Sequence, residues 1–253
     1  MTTNRKRMFT PRRVRLIFCL FLLTAAAIAL ARIALAVTTD ERQQIDGHCR
    51  QPSFVFAESF DDVTPPALPS GWSSTTWVTS NSGGPTPPAD TPPNAAFVDD
   101  PGTISDKQLL SPNVAIVCDA GAVLSFRNNF NLQNGFDGGV LEVSFDHGLT
   151  FQDIVAAGGV FLRGGYNGTV SACCGNPLAG RQAWTGSSRG FLHTAVALVG
   201  FSCSNFVLRW RLGSDSNVSG EGWRIDSVAI SQCPGFRPPP PTPHPRPTPP
   251  WRD

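Results

Sequence analysis

Between residues 62 and 104 the chain places proline at positions 65, 66, 69, 85, 87, 88, 92, 93 and 101, with Gly71, Gly83 and Gly84 among them. Proline has no backbone N–H, and its ring collides with the preceding turn of a helix, so no helix runs through this stretch. The segments on either side alternate instead. Phe206, Leu208, Trp210 and Leu212 interleave with Val207, Arg209 and Arg211. A period of two marks a strand with one apolar and one polar face. Nothing beyond residue 36 carries helical periodicity.

The same reading predicts strands at Ser53–Phe60, Thr75–Thr79, Ala95–Val98, Val123–Phe130, Gly139–Phe145, Thr150–Ala156, Gly159–Tyr166, Leu192–Val199, Phe206–Leu212 and Trp223–Ser231. Asp146-His147-Gly148 supplies the residue types a hairpin turn needs for positive φ. Many short strands with Gly/Pro turns indicate an all-β sandwich or barrel, and residues 53 to 233 form one domain. Residues 234–253, with proline at 238–241, 243, 245, 247, 249 and 250, are expected to be an extended, disordered proline-rich tail.

Residues 1–36 stand apart. Arg5, Lys6, Arg7, Arg12, Arg13 and Arg15 precede an uncharged apolar run from Leu16 to Ala31, and Ala34-Leu35-Ala36 fits a cleavage site. This reads as a secretory signal peptide. The competing reading is an uncleaved helical membrane anchor, although Arg32 ends the apolar run short of the roughly 20 residues a span needs. Either way residues 37–52 form a polar leader and the domain is secreted or held at the cell surface, touching membrane only through an uncleaved N-terminal segment. Beyond residue 36 the chain keeps 13 basic against 19 acidic residues, a net charge of −6, with Lys107 its one lysine. That excludes nucleic acid and anionic lipid as partners, since both need clustered positive charge.

Cys49, Cys118, Cys173, Cys174, Cys203 and Cys233 make an even set, as export and a disulfide framework require. Cys49 precedes the first strand and Cys233 follows the last, so antiparallel pairing of those strands suits a Cys49–Cys233 bridge. Cys118 and Cys203, each just before a strand, form the second expected pair. Cys173 and Cys174 are left either to close a small ring together or to cross-link elsewhere. No CxxC pair, GxSxG or HExxH occurs, so no catalytic residue is assigned and the chain is read as non-enzymatic. Glu142, Asp146 and Asp153 are the acids from which a glycosidase pair would have to be drawn.

Glu58-Ser59-Phe60, Leu68-Pro69-Ser70-Gly71-Trp72 and Trp77 resemble the opening of bacterial jelly-roll modules of the cleaved-adhesin and choice-of-anchor type, relatives of MAM domains. The resemblance continues in Asp137-Gly138-Gly139-Val140-Leu141-Glu142-Val143-Ser144 and in residues 176–186. It closes in Gly222-Trp223-Arg224-Ile225-Asp226, so it spans roughly residues 54–231. It implies a jelly-roll β-sandwich of two antiparallel sheets, often with a structural calcium, and a role in adhesion or in binding glycan or a surface protein. The chain departs from the pattern in its six cysteines, in His147, and in lacking the peptidase such modules accompany. An accessory piece or remnant of a secreted hydrolase is the alternative function.

Three site expectations follow. If first and last strands pair, as the resemblance implies, Glu58 and Asp61 approach Asp226 and together would hold Ca²⁺, which wants six to eight oxygens. Asp226, placed by alternation on the face of Val228 and Ile230, needs a cation or a buried partner, with Arg224 the rival to calcium. The long Gly-rich stretch 163–190 carries Arg181, Gln182 and Trp184, the candidate ligand-binding residues. Trp72, Trp77, Trp223 and Tyr166 are further candidate aromatic faces for sugar, whereas Trp210 belongs to the core.

Overall fold

The computed structural model describes residues 53–118 and 120–234. The signal or anchor, the leader with Cys49, and the proline-rich tail lie outside the described residues, so the Cys49–Cys233 expectation does too.

Among the described residues there are fourteen strands and no helix: β1 (Ser53–Glu58), β2 (Val78–Ser80), β3 (Ala95–Val98), β4 (Ser105–Leu110), β5 (Val114–Ala115), β6 (Ala120–Asn131), β7 (Gly138–Ser144), β8 (Gln152–Asp153), β9 (Gly159–Arg163), β10 (Gly168–Thr169), β11 (Gln182–Ala183), β12 (Leu192–Leu198), β13 (Asn205–Ser214) and β14 (Gly222–Pro234). Among the described residues no helix is long and apolar enough to cross a membrane. The larger sheet runs β2-β3-β14-β6-β12-β9, with β1 also on β14; the smaller runs β4-β13-β7-β8, with β5 on β13. All these pairings are antiparallel. The two sheets pack as a jelly-roll sandwich.

First and last strands do pair: Ser53 lies opposite Gln232 and Glu58 opposite Val228. β14 receives β3 along Trp223–Ile225 and β1 along Val228–Gln232, so one edge serves two partners in turn. The turn at Asp146-His147-Gly148 has the expected geometry, with φ 61° at His147 and 91° at Gly148. β4, β5, β10 and β11 lie where no strand is expected from alternation, and the expected strand at Thr150–Ala156 shrinks to the two residues of β8.

The apolar faces meet in one core of aromatic rings. Trp72 packs on Phe60 and Trp210, Phe126 stands edge-on to both Trp210 and Trp184, and Trp184 and Trp77 both reach Trp223. Gly139 is required beneath this stack, because a Cβ there would lie 2.7 Å from the Trp223 ring. Trp72, Trp77, Trp184, Trp210 and Trp223 are all buried. The expectation that Trp72, Trp77, Trp184 and Trp223 offer aromatic faces to a sugar is therefore corrected: indole area is worth most inside, and the Trp184 Nε1–H donates inward to the Gly164 carbonyl at 2.9 Å.

Candidate functional site

The proline-rich stretch closes over the outer face of β14, and two side chains of that strand explain how. A chain rich in proline is poor in N–H donors and rich in carbonyl acceptors. Arg224 is fully buried and meets those acceptors with its five N–H groups. Its Nε donates to Pro85 O (3.2 Å), Nη1 to Pro88 O (3.0 Å) and Ser80 O (3.4 Å), and Nη2 to Ser82 O, Gly83 O and Gly84 O. The guanidinium also lies 4.4 Å over the Phe97 ring. Burial pushes Arg224 down to about 10, so it is still charged at neutral pH.

Asp226 takes the other end of the same loop. Its Oδ2 accepts the N–H of Asp90 (2.7 Å) and Thr91 (3.0 Å), and its Oδ1 the N–H of Ser227 (2.6 Å) and the Thr91 hydroxyl (3.2 Å). Asp226 is buried with a partner, as expected, but the partner is loop backbone and not Arg224. Its placement beside Val228 and Ile230 is corrected as well. Ser227 adopts φ 49°, and the register with β6 shifts between Asp226 and Ala229. That bulge inserts a residue, so Trp223, Ile225, Val228 and Ile230 all enter the core while Asp226 faces the loop.

Asp61 and Glu58 lie close to this arrangement. Burial pushes Asp226 up to about 7, with the charge of Asp61 adding to it. Burial also raises Glu58, which feels Asp62 and Asp61, and raises Asp61, which feels Asp62. Glu58 Oε1 accepts Phe60 N–H at 2.7 Å and Asp61 Oδ1 accepts Asn94 N–H at 3.1 Å. Asn94 is buried with its Nδ2 donating to Phe60 O and Val63 O, which leaves its Oδ1 without a donor. Among the described residues no three His, Cys, Asp or Glu side chains are grouped closely enough to hold an ion by themselves. The oxygen-only donor set and the orphaned Asn94 Oδ1 fit a hard cation that takes neutral oxygens as well as carboxylates.

The second constellation is the outer face of the smaller sheet. Across β13, β7 and β8 the register sets Arg209 opposite Glu142, and Glu142 opposite Asp153. Like charges facing each other across strands repel. Arg181, just before β11, resolves this by ion-pairing with both, at 2.5 Å to Glu142 and 2.8 Å to Asp153. Glu142, its side chain 3% exposed, also pairs with Arg209 at 2.6 Å, and Arg211 pairs with Asp106 at 2.7 Å. The Tyr166 hydroxyl accepts Leu141 N–H and reaches Leu141 O and Asp153. Burial, with the Asp153 charge next, pushes its pKa far up, so the phenol stays protonated. The guanidiniums of Arg181, Arg209 and Arg211 all reach the Glu142 carboxylate, at 2.5, 2.6 and 3.6 Å.

The long stretch after β9 is thus not a free loop. Val170, Leu178 and Ala183 pack on Val140 of β7, forming a small second core on this face. Gln182 remains exposed, its Nε2 donating to Thr169 Oγ1 at 2.6 Å. Arg181 sits in the lattice with 27% of its side chain exposed. Trp184 crosses into the main core. Arg209, Arg211 and Asp106 were not among the expected site residues; the signal for the two arginines was their alternation on the polar face of β13. Phe151 continues the lattice, its ring 3.8 Å from the Arg209 guanidinium. It also lines a cleft of about 350 Å³ with Val143, Phe145, Asp146, Thr150 and Gln152. Hydrogen bonds from Ser144 and Thr150 hold the Asp146 carboxyl well below the usual range, so the cleft keeps one fixed negative charge.

Among the described residues two disulfides are present. Cys118–Cys203 ties the segment before β6 to the segment before β13, as expected. Cys173 and Cys174 bridge each other, which settles the alternative left open for them.

No protein-family model and no curated protein matches this chain. Solved structures do. The K3 cleaved adhesin domain of Lys-gingipain from Porphyromonas gingivalis is 13% identical with a TM-score of 0.40, over 72% of this chain and 99% of that one. The CBM22-1 xylan-binding domain of Paenibacillus barcinonensis Xyn10C is 9% identical with a TM-score of 0.40, over 72% and 95%. TmCBM61, solved with beta-1,4-galactotriose, is 12% identical with a TM-score of 0.39, over 68% and 97%.

Proposed function

We propose that this chain is a non-catalytic exported module that binds a neutral glycan on the outer face of its smaller sheet. The observation that carries this reading is the lattice in which Arg181 joins the opposed Glu142 and Asp153 beside the cleft under Phe151. Sugar hydroxyls both donate and accept, and guanidinium–carboxylate pairs side by side offer both roles in fixed geometry. Three guanidiniums (Arg181, Arg209, Arg211) meet three carboxylates (Glu142, Asp153, Asp106), so the lattice itself is charge-balanced, and Asp146 adds one negative charge at the cleft. The sequence resemblance to adhesin and MAM-type modules is in keeping with this reading.

The test is a glycan array with the purified domain, followed by titration of the best ligand against Thr150→Ala, Gln152→Ala and Gln182→Ala. These three side chains border the lattice without carrying it. A loss of about tenfold in affinity with unchanged circular dichroism is expected for at least one, the size of a single well-placed hydrogen bond. Release of shortened sugars, or binding to no glycan, overturns the reading.

We also propose a structural calcium held by Glu58, Asp61 and the Asn94 Oδ1, with the Asp226 carboxylate adjoining. What supports it is the raised pKa of all three acids and the unpartnered Oδ1 of Asn94, whose backbone N–H donates to Asp61 Oδ1.

A further inference from the structure

Three loops at one end of the sandwich each bury an aspartate. Asp100 follows β3, Asp137 precedes β7 and Asp215 follows β13, and their exposures are 2%, 0% and 2%. None of the ion pairs among the described residues reaches them; Lys107 pairs instead with Asp99. Backbone donors satisfy part of the set. Asp137 Oδ1 accepts Asp215 N–H at 2.6 Å, Asp100 Oδ2 accepts Gly220 N–H at 3.0 Å, and Asp215 Oδ1 accepts Asn217 N–H at 2.8 Å.

Two buried oxygens are then left without any donor, Asp100 Oδ1 and Asp137 Oδ2. The two carboxyl groups lie within hydrogen-bonding reach of each other. Two ionised carboxylates buried in that position would repel, and each orphaned oxygen would cost its desolvation. One proton between them removes both penalties. Burial first, and the Asp137 carboxylate second, push Asp100 up to about 7; burial and the Asp215 charge raise Asp137.

We propose that Asp100 and Asp137 share one proton and form a pH-sensitive clasp that locks this end of the sandwich. The clasp governs more than the two acids. Asn176 donates to Phe136 O at 2.7 Å and Gly213 O at 2.8 Å, so the loop carrying the exposed Cys173–Cys174 bridge hangs on the same two segments. Groups facing the pair are the third carboxylate, Asp215, the backbone amides of Gly220, Gln133 and Asp215, and the side-chain amide of Asn176; no Lys, Arg or His is paired to it among the described residues. The sign follows from linkage. The open state holds these carboxyls at ordinary values near 4, and the closed state binds one proton more. Closure is complete below the open-state pKa and is lost as pH rises towards 7, the proton passing to a buffer base.

Hydrogen exchange of the whole domain between pH 5 and pH 8, corrected for the intrinsic pH dependence of exchange, tests the clasp. Protection of residues 133–137 and 213–220 should fall by about tenfold per pH unit up to pH 7 and then level off. Residues 90–91, held by Asp226, serve as a separate region in the same data. Asp100→Asn supplies a permanent donor in place of the proton and should keep these segments protected at pH 8; Asp137→Asn is the second variant if the first does not fold. Flat protection in the wild type overturns the proposal, as does a pH response that survives in the amide variant. Restoration of wild-type protection at pH 8 by calcium chloride also overturns it, because the partner is then a cation and not a proton.

Discussion

Arg224 and Asp226 stand two residues apart on β14 and divide one loop between them. Arg224 donates to carbonyls from Ser80 to Pro88, and Asp226 accepts the amides of Asp90 and Thr91. The two are not paired with each other. The outer face of the last strand thereby becomes the scaffold on which a segment with no regular structure of its own is ordered.

Arg224→Lys should destabilise the domain by about 3–5 kcal/mol, the cost of leaving buried polar partners uncompensated. An ammonium has three donors and cannot reach carbonyls from Ser80 to Pro88 as the planar fork does. Urea unfolding reads this as a lower midpoint at unchanged slope. A loss under about 1 kcal/mol would mean that the loop is held elsewhere.

Chelation should lower the melting temperature of the calcium-equilibrated protein by about 5 °C, corresponding to roughly 2 kcal/mol of linked stability. Asp61→Asn should abolish that response. Asp226→Ala should destabilise in chelator as well, because the backbone N–H groups that donate to its carboxylate do not depend on an ion. A melting curve indifferent to both calcium and chelator refutes the calcium site.

Trp184→Ala and Gln182→Ala separate core from surface within three residues. The tryptophan change should cost about 3–5 kcal/mol, the usual range for emptying an aromatic core position. The glutamine change should stay within about 0.5 kcal/mol. Equal effects in a thermal or urea melt would contradict the opposite directions of these side chains.

Cys118→Ser with Cys203→Ser should remove about 4 kcal/mol, because the bridge spans 85 residues and a long closed loop loses much entropy in the unfolded chain. Reducing agent should lower the wild type by at least this shift and the double variant by less, because only the other cysteine bridges are left in it to reduce. Non-reducing peptide mapping checks the connectivity, including the Cys173–Cys174 ring.

Much of the architecture was legible in residue order. Prolines between 65 and 93 excluded helix, alternation at 206–212 and 223–231 located the two long strands, and Asp146-His147-Gly148 marked its hairpin. Cys118 and Cys203, each two residues before a strand, met as expected. These features are local: proline geometry, side-chain period and turn φ are decided within a few residues.

The site was not legible in the same way. One residue of bulge at Ser227 reversed the face assigned to Asp226 relative to Val228 and Ile230, and alternation carries no mark of where an extra residue is inserted. Arg224 finds its acceptors up to 144 residues away in sequence, and Arg181 finds Glu142 at 39, so neither partner shows in any window. Trp184 sits two residues from exposed Gln182 but turns into the core, because the bridge from Gly139 to Trp184 brings that segment against β7. Composition and periodicity determined that the chain is all-β, a sandwich or a barrel. Tertiary packing alone decided which charges face each other, because a buried charge is stable only where the fold delivers its partner.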